Sequence, residues 1–384
     1  MIMTISFDLR LMTAGLVVFL FPLSVTHAND DFWDPTFGTE GMNATVYAIA
    51  LDGEDVYAGG EFTMAGALDV GRVAQWNGSS WSDVGGGVGQ SDGYHAVRAL
   101  LFHEGVLYVG GQFQGAGNAG ANNIARWNGS QWLRMGSLDG VVRDLEVFQG
   151  DIYACGEFDE SGNTVLNGIA RWDESGWQPL DAGLRVGTDA GYGTSMDAND
   201  THLYVGGHFT KAGNIFAIRT AKWDGVAWST GAGSIRGFVG AILVVGSDVY
   251  VGGTFDYLGL SNIGRWNGTW DNLDGGANLH VIALAEFDGE IYAAGTFRFM
   301  GGVDVHHVAK WDGAAWSAFG RGLDGGVLGA YAIAPKSNTE FWVGGVFDKA
   351  GGKDSYYIAH WQSEPSVPVE PKRWGGIKSI YRDK

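Results

Sequence analysis

Leu107-Tyr108-Val109-Gly110-Gly111-Gln112-Phe113, followed by Ile124-Ala125-Arg126-Trp127-Asn128-Gly129-Ser130-Gln131-Trp132, is the stretch whose reading decides the fold. Its first half recurs as Val56-Tyr57-Ala58-Gly59-Gly60-Glu61-Phe62, and the same pattern ends again at Phe158, Phe209, Phe255, Phe297 and Phe347. About 14 residues after each Phe comes the first Trp of the second half, at Trp76, Trp127, Trp172, Trp223, Trp266, Trp311 and Trp361. Seven copies, 42 to 51 residues apart, therefore fill the chain. That period is the signature of a repeat architecture rather than of several independent domains.

Each unit holds four short alternating runs, in the second unit Val97 to Phe102, Val106 to Phe113, Asn123 to Trp127 and Trp132 to Gly136. Four short strands per repeat make a propeller blade. The expectation is an all-β, seven-bladed β-propeller of four-stranded antiparallel blades. Asn77-Gly78, Asn128-Gly129, Asp224-Gly225, Asn267-Gly268 and Asp312-Gly313 join the last two runs, and these dipeptides predict type I′ hairpins. Asp173-Glu174-Ser175-Gly176 departs from them and predicts a longer loop.

The second Trp of the motif stands at Trp81, Trp132, Trp177, Trp228, Trp270 and Trp316 but is missing after Trp361. Trp33, 24 residues before Tyr57, has the right spacing to supply it. The ring is thus expected to close through an N-terminal strand added to the last blade, which removes the open edges that invite aggregation. The repeated Trp, Tyr and Phe read as packing between blades rather than as ligand stacks, and Trp374 is the one Trp outside any such slot or its variant Trp342.

Three segments are expected. Residues 1–28 read as a signal peptide: Arg10 precedes an apolar run from Leu11 to Val25, and Thr26-His27-Ala28 ends in a small residue at the cut. A membrane anchor is disfavoured because the run is shorter than the roughly 20 residues a bilayer needs, and Pro22 interrupts it. Residues 29–363 are the propeller. Residues 364–384 are a Pro-containing linker and a basic tail that breaks with the acidic body, readable as a sorting tag or as a loose terminus. The protein is expected to be secreted or held at the cell envelope or surface, as a monomer.

A formal net charge of −19 gives nucleic acid and anionic lipid no electrostatic foothold, so neither is an expected partner. The lone Cys155 rules out an internal disulfide and the two-cysteine zinc patterns. No cofactor or metal is expected. Gly115-Ala116-Gly117-Asn118-Ala119-Gly120 fits the dinucleotide fingerprint in letters only, because a strand follows where a helix is required. The adjacent His306 and His307 sit in or near a strand, where neighbours point to opposite faces and cannot grip one ion together. Most Asp and Glu fall in turns such as Asp52-Gly53, Asp288-Gly289 and Asp324-Gly325, and no spacing marks a catalytic pair.

The repeat resembles kelch-type and galactose-oxidase-like propellers. More closely, Tyr-x-Gly-Gly-x-Phe with Ile-Ala-x-Trp-Asn-Gly is similar to repeats of uncharacterised exported bacterial proteins and of the fungal cortical cell-polarity marker protein. That resemblance implies a surface or extracellular binding scaffold. The cysteine–tyrosine copper site of galactose oxidases does not carry over: Cys155 stands where other units have Gly59, Gly110, Gly206, Gly252 or Ala294. It reads as a small buried residue.

The long variable loops join the second and third strands or link blades, so all open on one face; Gly89 to His95, Gly187 to Ser195 and Phe299 to His307 are examples. Function sits on such loops above a rigid scaffold. Tyr94, His95, Tyr192, His280, Phe299, His306, Tyr356 and Tyr357 are the loop residues the repeat leaves unexplained, and they are the binding candidates for a protein or carbohydrate partner. The expected function is therefore noncatalytic binding. The alternative is a hydrolase, lyase or oxidase with an acidic or metal-assisted site at the central channel, which three or more His, Asp or Glu converging on the axis would favour.

Overall fold

The computed structural model describes residues 30–89, 93–326 and 329–363; the expected signal peptide and the linker and tail lie outside them. Among the described residues the blades are six four-stranded antiparallel sheets and one three-stranded sheet, following one another along the chain, with smaller sheets of two-residue and three-residue strands between them. Their innermost strands are Val46–Asp52, Ala96–His103, Val142–Phe148, Tyr192–Ala198, Phe238–Val245, Val281–Phe287 and Gly329–Ser337. Each touches the next, and the last touches the first, so the sheets form a closed seven-bladed ring around a channel.

In the second blade the strands are Ala96–His103, Val106–Ala116, Ala119–Trp127 and Trp132–Arg134, close to the expected runs. The segment between the second and third strands is more ordered than a loop. In blades one, three, four, six and seven it folds into a two-residue hairpin of its own, such as Met64–Ala65 with Leu68–Asp69. The Phe299–His307 segment is one of these, with Phe299 opposite Asp304.

The outer turns differ from type I′. Asn77, Asn128, Asp224, Asn267 and Asp312 keep negative φ, and only the following glycine is left-handed. In four of the five, the side-chain oxygen accepts two successive backbone amides further on: Asn77 Oδ1 from Ser79 and Ser80, and Asp224 Oδ1 from Val226 and Ala227. The side chain itself completes the turn, which frees the first residue from positive φ. Nor is the third blade's turn longer, since Trp172 pairs with Trp177 across four residues as Trp127 does with Trp132.

Closure occurs at Trp33, but through one residue rather than a regular strand. Trp33 forms a single antiparallel bridge to Trp361, and the flanking residues Asp30–Phe32 and Pro35–Gly38 are 3-10 turns. Pro35 has no N–H to give a ladder, and the Asp34 carboxylate caps the Thr36 amide, so the chain turns away from the sheet. Trp33 still fills the slot its spacing assigned. The outer tryptophans donate their indole N–H to a carbonyl of the preceding blade: Trp132 to Val84, Trp177 to Met135, Trp228 to Leu180 and Trp316 to Leu273. Trp33 donates to Phe319 in the same way at 3.0 Å, and Trp81 of blade one reaches back to Glu40 of the clasp.

The core lies between blades. Tyr57, Val97, Phe113 and Trp132 share one buried cluster, and equivalent sets recur around the ring. Most of the repeated aromatics are buried as expected, with Trp127, Trp172, Trp266 and Trp270 half-buried. The Gly-Gly strands exist for a steric reason: a Cβ on Gly59, Gly110, Gly206 or Gly252 would come within 2.5–2.6 Å of Val97, Val142, Val239 or Val281 of the next blade. Cys155 is fully buried in that same row, and its neighbour in the next blade is Gly193 rather than a valine.

Candidate functional site

Every innermost strand slips register one residue after its first inward-packed position, and the strand of the last blade slips a second time between Pro335 and Ser337. Such a bulge re-aims the extra side chain. The seven bulged residues are Tyr47, Arg98, Arg143, Thr194, Gly240, Ile282 and Tyr331, and all seven line a cavity of about 530 Å³ at the mouth of the channel. The mouth is two-sided at the bulges: blades seven and one to four supply Tyr331, Tyr47, Arg98, Arg143 and Thr194, while blades five and six supply Gly240 and Ile282, with Phe238, Thr254, His280 and Val281 beside them.

The polar arc is cross-braced. The Arg98 guanidinium lies 4.0 Å over the Tyr47 ring, Tyr47 packs on Tyr331 at 5.5 Å, and Arg98 Nη2 donates to the Tyr94 hydroxyl at 2.9 Å. Glu61 accepts from the hydroxyls of both Tyr47 and Tyr94. Burial together with this carboxylate pushes the Tyr47 phenol well above its ordinary value. One blade on, Arg143 pairs with Glu157, its Nε donating at 3.0 Å, and sits 5.6 Å over the Tyr192 ring, which in turn packs on His208. Thr194 Oγ1 donates to the Val239 carbonyl at 2.7 Å.

Three of the eight loop candidates meet here. Tyr94, 53% exposed, Tyr192 and the exposed His280 stand around the mouth. His95 is buried beside Tyr94 and helps line a smaller groove of about 300 Å³ between blades two and three. The other four stand elsewhere. Phe299 lies on an outer hairpin beside Arg298; His306, at φ 45°, bonds Asp304 at 3.0 Å; Tyr356 and Tyr357 run along the clasp, where the Tyr356 amide donates to Phe37. Neither His306 nor His307 is in a strand, and both have left-handed φ.

Sequence reasoning missed Tyr47, Arg98, Arg143 and Tyr331. A signal for them existed: this position varies from Tyr to Arg to Gly between units whose flanking positions repeat.

Deeper in the channel stand Asp144, Glu146, Asp197 and Glu286. Asp144 accepts the amide of its own Leu145 at 2.9 Å and that of Met196 in the next blade at 2.6 Å; Asp197 does the same with Ala198 and Val244. These carboxylates clip the channel-facing edges of neighbouring inner strands together. Desolvation pushes Asp144 up to about 7 and, with the nearby Asp197 and Asp144 charges, Glu146 to about 8; burial takes Asp197 to about 6 against its two amide bonds. Among the described residues no group of three or more His, Cys, Asp or Glu is disposed to hold a metal ion.

No family model and no curated protein matches the chain. Its likeness is to solved β-propellers. The WD40 propeller domain of Doa1 is 14% identical, with 85% of this chain and 96% of that one covered and a TM-score of 0.53. YCF48 bound to D1 peptide is 12% identical, with 86% and 95% covered and a TM-score of 0.51. The extracellular domain of a putative one-component system from B. thetaiotaomicron is 12% identical, covering 83% of this chain and 38% of that one, with a TM-score of 0.52. At such identities the likeness shows the propeller fold and nothing finer. No helix among the described residues is long and apolar enough to cross a membrane.

Proposed function

We propose that the chain is an exported, monomeric, noncatalytic binding scaffold of kelch-like ancestry that recognises a protein or carbohydrate partner at the loop-rich face. The observation that carries this reading is the braced arc of Tyr47, Arg98, Arg143 and Tyr331 at the channel mouth. Long polar side chains lose rotamer freedom on binding, and stacking and hydrogen bonds have already removed much of it here. Propellers serve many activities, so the site and not the fold supports the function. YCF48 in complex with D1 peptide is a propeller with a peptide ligand, which agrees with the same use of the scaffold.

The purified protein on parallel glycan and peptide arrays tests the reading. Binding that is saturable and is lost on Tyr94→Ala supports it; blank arrays, or binding indifferent to Tyr94, would end it.

A second reading has one observation in its favour: four carboxylates reach the channel, the feature expected of an acid-based hydrolase or lyase. Both oxygens of Asp144 and of Asp197 are already engaged by backbone amides, which favours the clip over the catalyst. Glu146 and Glu286 each bond a single amide, that of Val147 at 2.8 Å and that of Gly289 at 2.6 Å, and Glu146, which burial pushes up to about 8, is the residue on which this rival rests. Turnover of a polysaccharide or ester panel that disappears in Glu146→Gln would establish the enzyme instead.

A further inference from the structure

We infer that the channel mouth is a carboxylate subsite that takes the free C-terminus of a peptide. This rests on the reading of the mouth as the binding face and gives it a ligand class. Arg98 and Arg143 occupy equivalent bulges in adjacent blades, and they are the only Lys or Arg among the described residues that line the mouth. Each guanidinium is held from behind, Arg98 by the Tyr47 ring and the Tyr94 hydroxyl, Arg143 by Tyr192 and Glu157. Both guanidiniums thus stand on one side of the opening, where an anion can accept charge-assisted hydrogen bonds from them.

Arg98 is the sharper indicator. It makes no ion pair among the described residues; its hydrogen bond goes to the neutral Tyr94 hydroxyl, which holds Glu61 one group further off. Most of its N–H donors are therefore available to a ligand, in the planar fork that matches a carboxylate.

The rest of the cavity narrows the choice to a chain end. Opposite the arginines the wall is Gly240, Val281 and Ile282, with Phe238 exposed at the rim and Thr254 and the exposed His280 beside it, a mostly apolar shelf suited to the side chain of a terminal residue. Below the bulges the next ring is alanine at Ala48, Ala99, Ala241, Ala283 and Ala332, with Ser195 and the amide-bonded Asp144, and beyond it Asp197, pushed up only to about 6 and so charged at neutral pH, repels an entering anion. A carboxylate thus stops at the level of the arginines. A terminus reaches that depth with one chain trailing out, whereas an acid in the middle of a polymer would have to pass two chains through the same opening. The overall charge of −19 repels acidic sequences, so the fit is to a neutral or basic peptide whose only anion is its end.

The test is fluorescence anisotropy with an N-terminally labelled hexapeptide, Gly-Lys-Gly-Ser-Lys-Phe, as the free acid and as the C-terminal amide. The free acid is expected to bind saturably, the amide roughly tenfold more weakly or worse, and Arg98→Gln to lose the same factor, because charge-assisted bonds to a carboxylate are lost in each case. Val226→Ala, exposed on an outer hairpin turn, should bind as wild type. The acid–amide comparison needs no variant, so a misfolded Arg98→Gln leaves the question decidable. Equal binding of acid and amide overturns the carboxylate subsite while keeping a binding face. Failure of both peptides together with Arg98-dependent binding of an oligogalacturonate overturns the peptide assignment in favour of an acidic sugar. Failure of every peptide and oligosaccharide sinks this inference and the binding-face reading together.

Discussion

Cys155 and Gly193 are expected to be energetically coupled, each being the reason the other is tolerated. Around the ring a glycine of one blade's second strand receives a valine from the next blade's inner strand, as in Gly59 with Val97 and Gly206 with Val239. Between blades three and four the partners are exchanged: the side chain comes from Cys155, and the gap is Gly193. A Cβ on Gly193 would lie 2.6 Å from Cys155 Cβ and 2.8 Å from its Sγ, so Gly193→Val overpacks a closed site and should cost about 2–3 kcal/mol. Cys155→Gly leaves a cavity and adds backbone freedom to the unfolded chain, together about 2 kcal/mol. The double variant restores the pairing used at five other interfaces. It should fall within about 1 kcal/mol of wild type, a coupling of about 3 kcal/mol where independent sites would simply add. For a chain of this size each kcal/mol moves the melting point by about 2 °C. The singles should therefore melt about 4–6 °C low and the double near wild type, followed by near-UV circular dichroism at one scan rate. A double variant melting at the sum of the two losses would refute the exchanged-partner account.

Stability should fall as pH rises from 5 to 8.5. Asp144, Glu146 and Asp197 titrate in the fold at about 7, 8 and 6. Between pH 4 and those values the folded chain therefore holds protons the unfolded chain has released, and raising the pH favours unfolding. His360, raised by Asp34 and Glu340 against its burial, adds the same sign, while His307, lowered by burial, opposes it. Glu146→Gln should flatten the melting-point profile, and an unchanged slope would remove the carboxylates as its cause. Asp34, held down at about 2 by its hydrogen bonds with His360 and Thr36 despite burial, contributes stability that disappears only as pH falls from 4 towards 2. Trp33→Ala should cost about 3–5 kcal/mol and a chain starting at Val46 should aggregate, since Trp33 is 1% exposed and its ring meets Phe341 and Trp361; a shortened chain that melts like the full one and stays monomeric would contradict the clasp. Export predicts that Edman sequencing of the protein recovered from its native cell begins at Asn29, and an intact Met1 would argue against it.

Much of this molecule can be read from its repeat because local chemistry decides it. Tyr-x-Gly-Gly-x-Phe and the paired tryptophans set strand length, blade count and the place of Trp33, since alternation and aromatic spacing act within a few residues of the chain. The turn type was not legible, because the Asn and Asp side chains compete with the backbone for the turn amides. The channel mouth was less legible still. Tyr47, Arg98, Arg143 and Tyr331 look like ordinary strand residues until a bulge in each inner strand turns them inward. The carboxylates of Asp144, Glu146 and Asp197 come from two different blades and acquire their raised proton affinity only from shared burial. Periodicity therefore determined the ring and its closure, whereas the composition of its axis belonged to the tertiary structure, because seven residues about 50 positions apart become neighbours only when the circle closes.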